Sequence, residues 1–252
     1  MTDTILYSVD GPVARLVLNN PDKHNALGVE QLKAMAEHLS AAEGDTAVRI
    51  LVLTGAGDKT FCAGASLQEL GEGMLGDESF QKMTAQLAAM RTPSICALNG
   101  NVFGGGAELA VSCDFRIGVE GMRLRVPAAT LGLCYPPLGI DRFVQCLGVS
   151  VTRRILVAAE TFDTRALEQI GFLDRVVERE ALADTASEFA THIAGLAPLA
   201  VQSMNAILRR MAAGTADADE AAALVSACLA SDDLREGLAA QREKRTPRFS
   251  GK

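Results

Sequence analysis

The spacing of apolar residues predicts strands and helices that alternate along the chain. Continuous apolar runs at residues 13–18, 49–54 and 94–98 are typical of buried strands. At residues 28–43 and 80–90 the apolar positions recur three and four residues apart, which predicts amphipathic helices. Because strands, turns and helices succeed one another, we predict an α/β fold.

The last third of the chain is predicted to be mostly helical. Short strands are expected at residues 115–119, 122–126 and 173–177, and helices at residues 182–195, 199–213, 218–229 and 233–244. We expect residues 1–196 to form a core that carries the functional site and residues 197–252 to form a helical oligomerisation region. The alanine and leucine faces of the final helices are too extensive for a single layer to bury. We therefore expect them to pack against a neighbouring subunit.

The composition argues against nucleic-acid and membrane partners. The 252 residues include 24 basic and 31 acidic side chains, whereas nucleic-acid-binding domains usually present a basic surface. Aromatic residues make up 4% of the chain and Trp is absent, which disfavours recognition by base stacking. The sequence has no secretion-signal pattern and no apolar run near the roughly 20 residues that span a bilayer. We expect a cytoplasmic protein.

Cysteine and histidine positions predict neither disulfides nor a metal site. The six cysteines form no C-x-x-C pair, and several lie in apolar runs, so we interpret them as reduced, buried thiols. The three histidines are widely spaced, which does not fit a metal-ligand cluster. The glycine-rich residues 71–77 are expected to form a mobile loop.

Three consecutive glycines mark the most informative segment, residues 97–113 (A-L-N-G-N-V-F-G-G-G-A-E-L-A-V-S-C). A predicted strand runs into glycines 104–106, and a predicted helix follows at residues 107–113. Glycine lets backbone N–H groups approach a ligand, and a helix start favours negative charge. The turn suits an oxyanion, with Glu108 beside it for proton transfer. Tight packing, with Glu108 merely complementing the helix dipole, is the competing interpretation.

A second loop, F-C-A-G-A at residues 61–65, also follows an apolar strand and contains glycine. One N–H from each loop would clamp a single carbonyl oxygen. That arrangement is an oxyanion hole, which stabilises an enolate or a tetrahedral intermediate.

Six motifs in order give the chain a family resemblance. They are N-P-D-K-H-N-A-L (20–27), F-C-A-G-A-S-L (61–67), N-G-N-V-F-G-G-G-A-E-L (99–109), C-D (113–114), A-P-L-A (197–200) and E-K-R-T-P-R-F (243–249). With them the chain resembles the crotonase superfamily, the enoyl-CoA hydratase/isomerase family, over nearly its whole length. The resemblance implies a spiral of ββα units and a C-terminal helical trimerisation region, assembled as a homotrimer or a dimer of trimers. It also implies an acyl-CoA thioester substrate and no permanently bound cofactor.

The resemblance further implies roles for individual residues. Ala63 and Gly105 match the positions whose N–H groups hold the thioester oxygen, and Glu108 matches the first catalytic glutamate of the hydratases. The positions that match coenzyme A contacts are Lys23, His24, Ala26, Ala65, Ser66, Leu67, Lys244 and Phe249. Family members usually have Asp at the position of Ser66.

Two departures from the family pattern affect the predicted chemistry. Ala128, in L-R-V-P-A (124–128), stands where hydratases carry a second glutamate, so Glu108 would be the sole general acid and base. The next segment, L-G-L-C-Y-P-P-L-G-I (131–140), resembles the methylmalonyl-CoA decarboxylase branch, which has a tyrosine at the position of Tyr135. That branch has a histidine at the position of Ala65. Tyr135 either orients a departing carboxylate or forms part of the pocket wall.

The sequence leaves three interpretations open. The first is an enoyl-CoA hydratase/isomerase-type enzyme that stabilises a thioester enolate. The second is an acyl-CoA decarboxylase in which Tyr135 orients the substrate, and the third is a non-catalytic acyl-CoA-binding homologue. We interpret the nearby Asp141 and Arg142 as a surface pair at a helix start.

Overall fold

The computed structural model describes residues 3–74 and 77–252. Within them the strands are β1 (Ile5–Asp10), β2 (Val13–Leu18), β3 (Ile50–Gly55), β4 (Thr60–Cys62), β5 (Ser94–Leu98), β6 (Asn101–Phe103), β7 (Phe115–Val119), β8 (Arg123–Arg125), β9 (Thr161–Asp163) and β10 (Arg175–Val177). The α-helices are α1 (Val29–Gly44), α2 (Leu67–Gly71), α3 (Asp77–Ala89), α4 (Gly105–Val111), α5 (Pro137–Thr152), α6 (Thr164–Gln169), α7 (Leu182–Ala194), α8 (Pro198–Ala212), α9 (Ala218–Ala230) and α10 (Asp232–Glu243). None of these helices is long and apolar enough to cross a membrane.

Two sheets organise the core. The larger has the order β1-β2-β3-β5-β7-β10 and is parallel except for the β1–β2 hairpin. The smaller has the order β4-β6-β8-β9, with β9 antiparallel to β8. The strands β3, β5 and β7 of the larger sheet are each followed by a strand of the smaller sheet and then by a helix. This repeated step confirms the predicted spiral of ββα units.

The centre of the larger sheet is fully buried. Every residue of β5 and the first four residues of β3 are buried, which explains why these strands are continuous apolar runs. Helix α7 packs on β3, β5 and β7, and α1 packs on β1, β2 and α3.

The structure differs from the predictions at a few elements. Strand β1 (I-L-Y-S-V-D) was not predicted, because its apolar and polar residues do not alternate regularly, and only its first residue is buried. Helix α4 begins at Gly105, two residues earlier than expected, so two of the glycines lie in its first turn. Of the mobile loop expected at residues 71–77, residues 75–76 lie outside the described part of the chain. The cysteines were expected to be buried, but Cys134 and Cys146 are exposed.

The C-terminal helices are attached to the core through Asp114, which lies just before β7. Its Oδ1 accepts hydrogen bonds from Arg209 Nη2 at 2.7 Å and from Asn205 Nδ2 at 3.0 Å, both on α8. Large apolar side chains remain exposed along α8, α9 and α10, namely Met204, Leu208, Met211, Val225, Leu229 and Leu238. Several of them line an apolar groove of 390 Å³ between these helices. These three helices thus have an apolar surface that their own chain leaves uncovered.

Candidate active site

Two glycine-containing loops meet at one end of the smaller sheet. Strands β4 and β6 are parallel neighbours, so the segments that follow them emerge side by side. A Cβ atom added at Gly64 would lie 2.4 Å from Gly105 N, and one at Gly106 would lie 2.4 Å from Cys62 O. Gly64 also has φ of 86°, a conformation that favours glycine. Only glycine therefore fits where the two loops touch.

The N–H of Ala63 is already occupied by a hydrogen bond within the chain. It donates to the carbonyl oxygen of His24 at 2.9 Å, which ties the loop after β4 to the preceding loop. An N–H that holds a backbone carbonyl is not available to a thioester oxygen. The structure therefore corrects the prediction that Ala63 is an oxyanion donor.

Ala65 is the better candidate on this loop. Leu27 forms a parallel bridge with it, in which Leu27 N–H donates to Gly64 O and Leu27 O accepts from Ser66 N–H, each at 2.8 Å. In such a bridge the central residue points its own N–H away from its partner. The N–H of Ala65 has no acceptor among the described residues. The N–H of Gly105, first in α4, has no intrahelical partner either.

Glu108 lies in the first turn of α4, close after Gly105, and its side chain is 0% exposed. Helix α3 provides its hydrogen-bond donors. Gln81 Nε2 lies 3.0 Å from Glu108 Oε1 and 3.2 Å from Oε2, and Thr84 Oγ1 donates to Oε1 at 2.9 Å. Neutral donors thus compensate for the removal of this carboxylate from water.

The beginning of α5 closes another side of Glu108. A Cβ atom added at Gly139 would lie 2.7 Å from Glu108 Oε2 and 2.5 Å from Tyr135 Cε1, so the three residues are packed together. The Tyr135 ring meets Phe143 edge-on, with ring centroids 5.9 Å apart. Burial, followed by the negative charge of Glu108, raises the pKa of Tyr135 well above its ordinary value. Its hydroxyl is therefore protonated at neutral pH and is a potential donor beside Glu108.

Arg142 belongs to the same cluster, contrary to the prediction that it forms a surface pair. Its Nε is buried and has no acceptor in the described part of the chain, although Asp141 is exposed as expected. Burial lowers the pKa of Arg142, while the negative charges of Glu108 and Asp141 raise it. A guanidinium group therefore lies close enough to Glu108 for their charges to interact.

Ala128 occupies the place where a second carboxylate was sought. It is buried and begins a short 3-10 turn after β8. The N–H of Gly104 donates to Arg125 O at 3.0 Å, so the chain runs beside the glycine turn before it reaches Ala128. The next glutamate before it, Glu120, is exposed. A methyl group therefore stands at this position, and Glu108 is the carboxylate that the cluster contains.

Asn25 holds the loop before α1 against β4 and the turn that precedes it. It is buried with φ of 55°, a conformation that asparagine tolerates better than most residues. Its amide nitrogen donates to three carbonyl oxygens at 2.9–3.0 Å, those of Ala56, Thr60 and Phe61. Its Oδ1 accepts from Asn20 N–H at 2.9 Å, which completes the turn.

The Cys62 thiol links the loop before α1 to the loop after β4. Its Sγ donates to Asn25 O and accepts from Gly64 N–H, each at 3.3 Å. Burial raises the pKa of Cys62 to about 12, so the group remains a thiol that can both donate and accept.

Six of the predicted coenzyme A contacts lie on two adjoining segments. Lys23, His24 and Ala26 are on the loop before α1, and Ala65, Ser66 and Leu67 follow β4. The backbone bonds of Leu27 and the contact of His24 Nδ1 with Thr60 Oγ1 at 3.2 Å hold the segments together. Ser66 caps α2, where it accepts from Glu69 N–H at 3.4 Å, which gives this serine a structural role.

Lys244 and Phe249 do not reach these loops within one chain. The Phe249 ring lies near Gly237 of α10, and its carbonyl accepts from Arg49 Nη2 at 2.7 Å. Arg49 comes just before β3, whereas the loops adjoin the other end of that strand. Lys244 follows the last residue of α10, the helix whose Gly237 lies near the Phe249 ring. The prediction that these tail residues close over coenzyme A therefore does not hold for their own chain.

The sequence pattern did not single out Gln81, Thr84 or Gly139. A signal was nevertheless present, because Thr84 interrupts the apolar stripe formed by Phe80 and Leu87 on α3. A polar residue on a buried helix face needs a polar partner, and Glu108 is that partner.

Comparisons with known proteins identify the family of the chain. The sequence pattern of the family described as Enoyl-CoA hydratase/isomerase matches residues 9–252. The Short-chain-enoyl-CoA hydratase of Clostridium acetobutylicum is 33% identical over 96% of each chain. The 2,3-dehydroadipyl-CoA hydratase of Escherichia coli is 32% identical over 98% of this chain and 99% of that protein. Among solved structures, an enoyl-CoA hydratase/carnithine racemase from Magnetospirillum magneticum has a TM-score of 0.93 at 27% identity, covering 100% of this chain and 97% of that one. The chain therefore belongs to the enoyl-CoA hydratase/isomerase family of the crotonase superfamily.

Proposed function

We propose that the protein acts on the acyl group of a coenzyme A thioester through an enolate. In this proposal the N–H groups of Ala65 and Gly105 hold the thioester oxygen, and Glu108 transfers a proton at the α-carbon. The observation that carries it is the buried Glu108 carboxylate in the first turn of α4, the helix whose first N–H belongs to Gly105. Membership of the family supports the same substrate class.

The proposed oxyanion donors suit an enolate for two physical reasons. The Gly105 N–H is at the positive end of α4, where developing negative charge is favoured. The Ala65 N–H comes from a loop whose position is fixed by the bonds of Leu27. Each such donor typically contributes about 3–4 kcal/mol of transition-state stabilisation.

One carboxylate is sufficient for the proton transfers of hydration and of double-bond isomerisation. In hydration, the water oxygen bonds to the β-carbon and the displaced π electrons form the enolate. Glu108 takes the proton of the water and returns it to the α-carbon. In isomerisation, Glu108 moves a proton from one carbon to another. Ala128 leaves both steps to Glu108, so we place the protein among the one-carboxylate enzymes of this type.

Coenzyme A is proposed to lie along the segments that carry Lys23, His24 and Ala26 on one side and Ser66 and Leu67 on the other. Lys23 is exposed and positively charged, which suits a phosphate of the coenzyme. Lys244 and Phe249 would join such a site only from a neighbouring copy of the chain.

A double-label experiment tests the proposal. The purified protein is incubated separately with crotonyl-CoA and 3-butenoyl-CoA in water enriched in both ²H and ¹⁸O, and the thioesters are analysed by mass spectrometry. Hydration of crotonyl-CoA would place ¹⁸O on the β-carbon and ²H on the α-carbon. Isomerisation of 3-butenoyl-CoA would give crotonyl-CoA without ¹⁸O. Absence of any enzyme-dependent label or conversion would reject enolate chemistry on these substrates and favour a non-catalytic acyl-CoA-binding protein.

Decarboxylation is a second candidate because Tyr135 is packed beside Glu108 and its hydroxyl stays protonated. Such a hydroxyl can orient a carboxylate on the α-carbon. Loss of carbon dioxide would then leave the enolate in the same oxyanion hole. Release of ¹³CO₂ from carboxyl-labelled methylmalonyl-CoA would support this candidate, provided that Tyr135→Phe lowers the rate.

The assembly is proposed to be a homotrimer or a dimer of trimers built through α8–α10. These helices expose several large apolar side chains, some of which line one groove, and clusters of exposed apolar residues of this kind usually mark an interface. We take a second copy of the chain as the partner. The hydrogen bonds from α8 to Asp114 fix this region to the core, so its apolar surface is held outward rather than folded back onto its own chain. A cytoplasmic location and a boundary between residues 196 and 197 stay predictions.

A further inference from the structure

The Gln81 side chain faces Glu108 with its amide nitrogen and leaves its amide oxygen without a partner. Nε2 lies 3.0 Å and 3.2 Å from the two oxygens of Glu108. Gln81 is 7% exposed, and its Oε1 has no hydrogen-bond donor among the described residues. Buried acceptors are nearly always satisfied, so this oxygen requires an explanation.

The protonation state of Glu108 explains the orientation of the amide. An ionised carboxylate has no proton to donate, so the amide turns its NH₂ group towards it and forms charge-assisted hydrogen bonds. A protonated carboxyl group carries an O–H, for which an amide oxygen is a suitable acceptor. The two ends of the Gln81 amide therefore match the two protonation states of Glu108.

We propose that Gln81 is a positioning residue that serves Glu108 in both of these states. Its Nε2 holds the carboxylate before proton transfer, and the amide then turns so that Oε1 accepts the hydrogen bond of the protonated carboxyl group. The only bonds to hydrogen that change are those of the transferred proton, which passes from water or carbon to Glu108 and then to carbon. The proposal rests on the proposed function, in which Glu108 is both the base and the acid.

The absence of a second carboxylate at position 128 makes such a partner useful. Where two carboxylates share the chemistry, each can be held by groups that favour one form. Here Glu108 has to be stable both with and without the proton, although its side chain is fully buried. The Thr84 hydroxyl, at 2.9 Å from Glu108 Oε1, is also able to donate or accept. Both α3 partners of Glu108 are thus residues that accommodate either form.

Glu108 is the group in this cluster to which the proposed function assigns the proton transfer. Tyr135 and Arg142, around the start of α5, interact electrostatically with Glu108, and Cys62 on β4 interacts with Tyr135. Cys62 and Tyr135 have raised pKa values and stay neutral, and a guanidinium stays charged. The charged pair Glu78–Lys82 of α3 is at the surface, with Nζ 2.6 Å from Oε1. Changes in the pH dependence of turnover therefore report on Glu108 and its partner at position 81.

Two substitutions of Gln81 separate positioning from simple packing. Gln81→Glu keeps the shape but removes the donors and adds a negative charge. Gln81→Met keeps the length and removes all hydrogen bonding. The matched controls are Gln86→Glu and Gln86→Met, on the same helix, where Gln86 Nε2 contacts Ala36 O and Ser40 Oγ outside the site. The rate of α-proton exchange with ²H₂O is measured from pH 5 to pH 9 on each folded variant.

We expect Gln81→Glu to move the acid limb of the pH–rate profile upward by about one to three pH units, because a like charge disfavours ionised Glu108. Gln81→Met should lower the rate by about tenfold to a hundredfold, the usual consequence of losing hydrogen bonds to a charged group. Both Gln86 variants should match the wild type. If Gln81→Glu lowers the rate without moving the acid limb, or changes nothing, the role of Gln81 is structural and the proposal is wrong.

Infrared spectra recorded over a pH titration measure the coupling between the Gln81 amide and the protonation of Glu108 without turnover. The carboxyl C=O band of Glu108 is identified by its loss in Glu108→Gln, and the Gln81 amide band by its loss in Gln81→Met. The Gln81 band should shift at the pH at which the Glu108 band appears. A fixed Gln81 band overturns the inference even if the enzyme is active. A shifting band in a protein that exchanges no α-proton keeps the inference about Gln81 and rejects the proposed function.

Discussion

Glu108 and the outer faces of α8–α10 depart from the usual distribution of polar and apolar residues in opposite ways. Glu108 is a charged side chain with no exposure, whereas Leu229 on α9 is an apolar side chain that is 66% exposed. Carboxylates are rarely fully buried unless they have partners, and large clusters of exposed apolar residues usually mark an interface. The Glu108 carboxylate has hydrogen-bond donors within the chain, whereas Leu229 is not covered by its own chain. The carboxylate of the first region is thus held by its own chain, whereas the apolar surface of the second is left uncovered and is the surface that the proposed assembly would bury.

The largest expected effect comes from removing the charge at the centre of the first region. Glu108→Gln should lower turnover by about 10²- to 10⁴-fold, because an amide cannot act as general base. Affinity for a coenzyme A thioester, measured by calorimetry, should remain, since the proposed coenzyme contacts lie on other loops. Glu120→Gln, which changes an exposed glutamate, is the control. Intact turnover in Glu108→Gln would show that another group carries the proton.

Filling the space beside Glu108 should have the next largest effect. In Gly139→Ala the new Cβ would lie 2.5 Å from the Tyr135 ring and 2.7 Å from Glu108 Oε2. We expect a loss of about 1–3 kcal/mol in the free energy of unfolding, with a fall in kcat, because overpacked sites must shift. Urea unfolding and steady-state kinetics measure the two effects. Gly44→Ala, where no heavy atom lies within 4 Å of the new Cβ, should be neutral. Equal behaviour of the two variants would contradict this packing.

A charge placed on the second region should change assembly rather than chemistry within the chain. Leu229→Glu adds a carboxylate to the exposed apolar face and should convert the oligomer into monomers, as measured by light scattering after gel filtration. Thermal unfolding of the monomer should still be cooperative, because Leu229 has few contacts within its own chain. Val9→Glu, an exposed position on the edge strand β1, is the matched control. A monomeric wild-type protein, or an unchanged oligomer in Leu229→Glu, would reject this interface.

The smallest expected effect concerns the buried thiol of Cys62. Cys62 has a pKa raised from 9.0 to about 12 by burial, so the unfolded chain loses this proton at lower pH than the folded chain. The stability that it contributes is fully present below pH 9 and falls between pH 9 and 12, by about 1.4 kcal/mol per pH unit. Cys62→Ser should remove this part of the alkaline loss. Urea unfolding at pH 8 and pH 10 measures the difference.

The exposed Cys134 provides the comparison for that measurement. Cys134→Ser should retain the full loss of stability between pH 8 and pH 10, because it changes an exposed residue and leaves the buried Cys62 thiol in place. If Cys62→Ser and Cys134→Ser lose stability equally, burial of Cys62 does not set the alkaline limit.

Much of the fold could be predicted from the sequence, because burial leaves a direct trace in the order of residues. Strand β5 is buried throughout, apolar apart from its first residue, and was predicted with the same bounds. The approach of the two glycine loops was also foreseeable, since both follow apolar strands. The partly polar β1 left no such trace and was not predicted.

The details of the candidate site were harder to predict, for two physical reasons. Each N–H along such a loop meets a different acceptor, so an error of two residues selects an N–H that is already bonded within the chain. This is how Ala63, bonded to His24, was predicted in place of Ala65. The partners of Glu108 are on another helix, and Gln81 and Arg142 resemble ordinary surface residues when only their own helices are considered. Their burial depends on how α3 and α5 pack, which the local pattern does not contain.

Asn25 has a consequence for the thermodynamics of ligand binding. Its single amide bonds three carbonyl oxygens, on the turn before β4 and on β4 itself. These bonds remove conformational freedom from the segment that leads into the loop after β4 when the protein folds. A loop that is already ordered loses little entropy when a ligand arrives, so more of the interaction energy remains as affinity. The proposed oxyanion donors thus belong to a preorganised surface, to which the buried Asn25 contributes without itself being a donor or a proton carrier.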